Sequence, residues 1–252
     1  MRAEPPLPWL EPGDSFPTPY TAWGPHSPAP GLLAAGGSLD VASLLAAYRQ
    51  GTFPWFSDGQ PILWWSTDPR MVLAPTQFRL HRSLRKRIEQ RCVKQPTWHI
   101  RIDSDFAQTI YHCANTPRQG QNGTWIVQAM QEAYTDLHQA GYAHSVEVWE
   151  DSRMVGGLYC VAIGKAVYGE SMFAHTDDAS KVALAALVGL CLHHGVDWID
   201  CQQNTRHLAS LGGAEMDRAE FLAHIATACL QAPLVWQFDP VYWNALYQLT
   251  RQ

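Results

Sequence analysis

The side chains best suited to chemistry are an acid in one apolar stretch, Val167-Tyr168-Gly169-Glu170-Ser171-Met172-Phe173, and an acid and an amide in another, Ile199-Asp200-Cys201-Gln202. Asp200 and Gln202 are two apart on an extended segment, so simple alternation gives them one face. One polar group in such a stretch is usually a satisfied hydrogen-bonding side chain inside a sheet. Three of them, beside aromatic and thioether groups, point instead to a ligand site. Several chemistries are excluded. Gly169-Glu170-Ser171-Met172-Phe173 cannot be a serine-hydrolase elbow, because Phe stands where a second glycine must permit the sharp turn. Cys201, with His207 and Asp200, has the residue types of a cysteine nucleophile, but its apolar neighbours do nothing to lower the thiol pKa. No helix opens with the glycine-rich loop that a CoA pyrophosphate needs, and Gly31 to Gly37 lacks both G-x-G-x-x-G spacing and a preceding strand. The six cysteines are scattered without a C-x-x-C pair, and no H-E-x-x-H is present. No metal, disulfide framework or cofactor is expected.

The two stretches must be positioned by regular elements, and the sequence punctuates these clearly. His144 to Glu150, Met154 to Ile163 and Ala166 to Phe173 alternate with period two around turns at Asp151-Ser152 and Gly164-Lys165, predicting a three-stranded meander. Gly156-Gly157 predicts a bulge, or close backbone approach by a ligand, in its second strand. A strongly apolar helix, Val182 to Leu192, capped by Asp177 or Asp178, leads to a buried strand at Val196 to Cys201. Thr205 caps a short helix, and Asp217-Arg218-Ala219-Glu220 forms a capping box for a final helix through Leu230. Upstream, Ser38 or Asp40 caps a helix carrying Val41, Leu44, Leu45 and Tyr48, and Ile62 to Trp65 reads as a short strand ended by Asp68-Pro69-Arg70. Ser104 and Asp105 open another through Cys113, and Ile126, Met130, Ala133 and Leu137 share the face of a third. Residues 1–30, rich in Pro and aromatics, read as an extended arm. The order is α+β and suggests an acetyltransferase-type fold. Two unequal domains are expected, 1–75 with an aromatic cluster and 76–252 with a mostly antiparallel sheet.

At 252 residues and a net charge of −5 the chain is no general nucleic-acid binder. Yet Arg79, Arg82, Arg85, Lys86, Arg87, Arg91 and Lys94 fall within sixteen residues that hold one acid, Glu89. Leu80, Leu84 and Ile88 recur every four residues there, predicting a helix with one buried stripe and a basic face fit for a polyanion. Trp55, Trp64 and Trp65 offer rings on which a base could stack, although most of that cluster should form a small core. No apolar run approaches the roughly 18 to 20 residues that span a bilayer, and the first residues lack the apolar core of a secretory signal. A cytoplasmic protein, without membrane contact and monomeric, is expected.

The sequence resembles the leucyl/phenylalanyl-tRNA protein transferase family. The likeness is carried by Phe53-Pro54-Trp55-Phe56-Ser57, Pro61-Ile62-Leu63-Trp64-Trp65-Ser66, Gly123-Thr124-Trp125-Ile126, His144-Ser145-Val146-Glu147-Val148-Trp149, Gly169-Glu170-Ser171-Met172-Phe173, Ala179-Ser180-Lys181, Ile199-Asp200-Cys201-Gln202 and His207-Leu208-Ala209-Ser210-Leu211-Gly212. Departures from the usual pattern are Thr67 for Pro, Cys160 for Gly, Val167 for an aromatic and Asp178 for Asn. The resemblance implies a small N-terminal domain and an acetyltransferase-like C-terminal one. It also implies transfer of Leu or Phe, with Met a further candidate, from aminoacyl-tRNA to proteins beginning with Lys or Arg, which creates an N-degron. Trp55 and Trp125, with Tyr48 and Tyr134, would contact the terminal adenosine, and Leu158, Met172 and Ile199 would line the pocket for the transferred side chain. Glu170, Asp200 and Gln202 would sit at the reacting groups, and Arg79, Arg82, Arg85, Lys86 and Arg87 would hold the acceptor stem. An aminoacyl ester is already activated and needs no enzyme nucleophile, so a neutral amine held against it can react. Gln202, oriented by Asp200, would accept a hydrogen bond from that amine. Two other readings use the same residues: a catalytically silent reader of tRNA ends or N-degrons, and an aminoacyl transferase of the peptidoglycan-branching type.

Overall fold

The computed structural model describes residues 6–116 and 126–249. A small sheet contains β1 (Trp9–Leu10), β2 (Leu32–Gly36), β3 (Phe53–Pro54) and β4 (Leu63–Trp65) in the order β1-β2-β4-β3. Helix α1 (Val41–Arg49) lies between β2 and β3 in the chain, and the Asp40 carboxylate caps it by accepting the Ser43 N–H. The large sheet contains β5 (Arg70–Leu73), β6 (Trp98–Ile102), β7 (Ala143–Glu150), β8 (Arg153–Ile163), β9 (Ala166–Ala174), β10 (Ile199–Gln202) and β11 (Ala214–Met216). Its order is β11-β5-β10-β9-β8-β7-β6, antiparallel except for the β9/β10 pair. The helices that follow α1 are α2 (Arg82–Ile88), α3 (Phe106–Asn115), α4 (Gln128–Gln139), α5 (Ala179–His194), α6 (Arg206–Ser210), α7 (Arg218–Ala228) and α8 (Val241–Gln248). The fold is α+β, as the order of periodicities predicts, and its strands form two sheets.

Two cores cover the large sheet, and β8 feeds both by alternation. Tyr159, Val161 and Ile163 join α1, α3, α4 and α7 in one core, while Leu158, Cys160 and Ala162 join α5 in the other. Helix α5 is apolar all round, which requires cover on two sides. The sheet supplies one side and Tyr242, Trp243 and Leu246 of α8 supply the other.

The meander forms as predicted, and so does the buried stripe of Leu80, Leu84 and Ile88. Other expectations are corrected. Arg70 does not end a strand but begins β5, a member of the large sheet. Helix α8 follows the helix predicted to be the last, and Gly31 to Gly37, already set aside as a nucleotide loop, is largely the strand β2. Neither Asp178 nor Asp217 caps its helix through its side chain. Asp178 accepts from Lys181 and Arg87 instead, and the Arg218 N–H at the start of α7 is met by Asp68 at 3.2 Å.

The bulge predicted near Gly156-Gly157 falls at Val155, left unpaired between Gly156↔Val148 and Met154↔Trp149. Gly156 serves the approach of a helix rather than of a ligand. A Cβ there would lie 2.5 Å from the Ala179 Cβ and 2.9 Å from its carbonyl carbon. Because backbone at the start of α5 blocks the space, Gly156→Ala should lower unfolding stability by roughly 1–3 kcal/mol in a urea titration.

Candidate active site

Two adjacent bulges bring the chemical side chains together. In the β8/β9 ladder Ser171 faces Tyr159 and Gly169 faces Cys160, so Glu170 is the extra residue. In the β5/β10 ladder Asp200 faces Val72 and Gln202 faces Met71, so Cys201 is the extra residue. Bulges re-aim the side chains beside them. Strands β9 and β10 are parallel neighbours, with Tyr168 opposite Asp200, which sets Glu170 beside Gln202. The Gln202 Nε2 donates to Glu170 Oε1 at 3.1 Å, turning the amide oxygen away from the carboxylate.

The bulge at Cys201 overturns the expectation that Asp200 and Gln202 share a face. Asp200 is 2% exposed and its carboxylate points into the core. Its Oδ1 accepts from Arg70 Nε at 2.8 Å and its Oδ2 from Arg70 Nη2 at 2.6 Å. The remaining arm of the guanidinium donates to the Gly51 carbonyl at 3.0 Å, and the cation lies 4.8 Å from the Phe53 ring centre and 4.6 Å from that of Phe221. Asp200 reaches Gln202 only through the backbone, by accepting its N–H at 2.9 Å. That backbone is left-handed, with φ of 56°, at the centre of a three-residue turn closed by the Gln203 N–H donating to the Cys201 carbonyl at 2.6 Å. Such a turn at a non-glycine residue is strained, at a cost of order 1–3 kcal/mol. Thr67, which departs from the family pattern, donates its hydroxyl to the Gln202 carbonyl at 3.0 Å.

Glu170 is half-buried and held from behind. Tyr48 donates to its Oε1 at 2.7 Å and Tyr134 to its Oε2 at 3.4 Å, and the two phenols touch each other. Both tyrosines are fully buried. Their hydroxyls are held by the carboxylate. Burial, together with the Asp200 charge, raises the Glu170 pKa to about 7 against the bonds from Tyr48 and Tyr134. Burial and the Glu170 charge push both phenols well above their ordinary range, so they stay donors.

Glu170 and Gln202 open onto a cavity of about 550 Å³ whose wall includes Leu158, Met172, Leu184, Leu187 and Ile199. That size suits a small apolar ligand. Trp55, 37% exposed, lines the same cavity, and its ring centre is 5.4 Å from that of Trp65. Trp125 lies outside the described residues. Cys201 also lines the cavity, but burial raises its thiol pKa far above the range of a nucleophile.

The basic segment is less free than its sequence suggests. Arg85 pairs with Glu89 at 2.9 Å and Arg87 with Asp178 at 3.5 Å, so the acids missing locally arrive in part from elsewhere in the fold. Arg79, Arg82 and Lys86 are exposed. Sequence reasoning missed Arg70, whose signal was a lone cation opening the apolar run Met71-Val72-Leu73. It also missed the cavity roles of Leu184 and Leu187, indistinguishable from core in a uniformly apolar helix. His207, weighed only as partner to a nucleophile, lines the cavity with its pKa lowered by burial and by the Lys181 charge.

Residues 72–226 match the family model described as leucyl/phenylalanyl-tRNA protein transferase, and residues 37–68 match that of its N-terminal domain. The chain belongs to this family. It is 59% identical to the leucyl/phenylalanyl-tRNA protein transferase of Polaromonas sp. strain JS666, covering 96% of this chain and 94% of the relative. It is 58% identical to the transferase of the same name from Albidiferax ferrireducens, over 96% and 95%. Against that of Burkholderia pseudomallei strain K96243 the figures are 54% identity, 92% and 91%. A solved structure of a functionally unknown conserved protein from Staphylococcus epidermidis aligns at 9% identity and a TM-score of 0.39, over 74% of this chain and 68% of that one, too distant to carry an argument. As a leucyl/phenylalanyl-tRNA protein transferase family member, the chain is an aminoacyltransferase that takes Leu or Phe from aminoacyl-tRNA and gives it to a protein.

A carboxyl group with a raised pKa binds more protons in the folded chain than in the unfolded one, so the stability it contributes is lost as pH rises from about 4.5 to about 7. Glu170→Gln, which keeps the shape without the charge, should therefore gain stability relative to the parent chain as pH is raised from 5 to 8. Thermal unfolding of the two proteins across that range checks the sign.

Proposed function

We propose that the Glu170 and Gln202 pair, at the wall of the apolar cavity, is where a leucyl or phenylalanyl ester meets the α-amine of a protein beginning with Lys or Arg. The placement of both side chains by bulges, beside an apolar cavity large enough for a leucyl or phenylalanyl group and part of its ester, carries this reading. Leu158, Met172 and Ile199 receive the transferred side chain. Trp55, with Trp125, stacks on the terminal adenosine. The exposed Arg79, Arg82 and Lys86, with Arg85 and Arg87, contact the acceptor stem. A domain at 1–75 then presents the aromatic platform and one at 76–252 the cavity, with β5 as the crossing point. The meander β7 to β9, followed by α5 and the parallel strand β10, supports an acetyltransferase-like form for the larger unit.

The reaction needs no covalent intermediate. The amine nitrogen attacks the ester carbonyl, a C–N bond forms, the C–O bond to the ribose breaks, and the proton lost by nitrogen ends on the departing ribose oxygen. An α-amine with a pKa of about 7.7–8.0 supplies a useful neutral fraction near pH 7. Because the Gln202 Nε2 is spent on Glu170, its carbonyl oxygen is the atom left to accept from the attacking amine. That oxygen is too weakly basic to keep the proton, so it aligns the nucleophile. Glu170 lies within reach of the aminoacyl amine or the ribose. Among the described residues no helix is long and apolar enough to cross a membrane. A monomer working in the cytoplasm fits this role.

Labelled Leu-tRNA and Phe-tRNA mixed with peptides starting in Arg, Lys or Ala should label the first two, and no transfer to Arg or Lys peptides would remove the proposal. Gln202→Ala should slow transfer about tenfold or more in single-turnover assays. Arg82→Glu with Lys86→Glu should weaken tRNA binding and reduce the slope of log affinity against log salt by roughly one for each phosphate that is no longer neutralised. Filter binding at several ionic strengths reads that slope.

A further inference from the structure

We infer that Arg70 is a positioning residue for the transfer, acting through Asp200 to hold Gln202 in the strained turn that presents its side chain to Glu170 and the cavity. The inference rests on the proposed role of Gln202. It follows from how the donors and acceptors are used. Asp200 spends both oxygens within the protein, two bonds on Arg70 and one on the Gln202 N–H, and has no surface in the cavity. It cannot meet substrate in this arrangement, so apart from the effect of its charge on Glu170 its contribution to the site must pass through the Gln202 backbone.

Arg70 decides where that carboxylate sits. The guanidinium is itself fixed at Gly51 and between Phe53 and Phe221, so it is keyed to the small sheet on one side and to α7 on the other. The fork geometry sets the plane of the carboxylate as well as its place, which a lysine ammonium cannot do. With the carboxylate plane fixed, Oδ1 lies where the Gln202 N–H must point if φ is 56°. Release of the clamp frees the turn to relax toward an ordinary extended conformation, which swings the Gln202 side chain off Glu170. A residue that only stabilised the fold would lower the yield of folded protein and leave the turnover of each folded molecule alone.

A double-mutant cycle separates the two roles. Transfer of Leu from Leu-tRNA to an Arg-starting peptide is measured for the parent chain, Arg70→Lys, Gln202→Ala and the double variant, with circular dichroism fixing the folded fraction. Arg70→Lys should lower kcat per folded molecule by roughly 10- to 100-fold, with KM for Leu-tRNA changed less than about twofold. In the Gln202→Ala background the same substitution should have no further effect, since the group it positions is gone. If Gln202→Ala is slow and Arg70→Lys still costs its full factor there, or if Arg70→Lys alone leaves kcat unchanged, the inference is overturned while the proposed site stands. Near-normal transfer by Gln202→Ala overturns the proposed role of Gln202, and the inference with it. Should Arg70→Lys fail to fold, Asp200→Asn enters the same cycle. It keeps an oxygen for the Gln202 N–H but loses the fork, and the same collapse of its effect is expected.

Discussion

The site depends on one buried ion pair. Arg70 and Asp200 are removed from water together, which is tolerable because all three guanidinium nitrogens donate, both carboxylate oxygens accept and two aromatic faces flank the cation. Such pairs add little net stability over an apolar replacement, yet losing one partner leaves a bare buried charge at a cost of about 3–5 kcal/mol. The pair therefore acts more as a lock than as a source of stability. It ties the small sheet, the large sheet and α7 to one point. At that point the backbone of Gln202 takes a conformation that it would not adopt by itself.

A second layer of constraint surrounds Glu170. Two buried phenols and one carboxamide donate to a carboxyl group whose pKa lies near neutrality. Neither the acid nor the amide is arranged as a strong base. Among the described residues the cavity wall holds no thiol of lowered pKa, and an activated ester requires none. Under the proposed function the contribution of the protein is alignment, through an apolar recess for the transferred side chain, a carboxamide oxygen for the incoming nitrogen and a rim tryptophan with an exposed face. On the same proposal, association of the tRNA is left to the exposed Arg79, Arg82 and Lys86, while Arg85 and Arg87 are paired with Glu89 and Asp178.

The meander, the caps at Asp40, Asp105 and Thr205, and the buried stripe through Leu84 were legible in the sequence, because each depends on residues close together in the chain. Helix α8 was missed although α5 carried a clue to it: a helix apolar all round needs a cover beyond its sheet. The two bulges were beyond reach for a different reason. Register between β5 and β10, some 130 positions apart, is a property of the assembled sheet. Alternation thus placed Asp200 and Gln202 on one face, when one extra residue sends the first into the core and the second toward the cavity. Tyr48 and Tyr134 were connected with the site through the family resemblance, and in the structure both donate to Glu170. Arg70 looked like the end of a strand and is the anchor of the site.

Alignment by the Gln202 turn and the apolar recess is tested most directly by a crystal structure with a non-hydrolysable aminoacyl-adenosine analogue carrying a leucyl or phenylalanyl side chain. That side chain should lie among Leu158, Met172 and Ile199. The adenine should stack on Trp55, and the Gln202 amide oxygen should face the line along which an amine would approach the carbonyl carbon. A side chain lodged outside this cavity, or a Gln202 turned away from the carbonyl with the Arg70–Asp200 pair intact, would contradict such alignment.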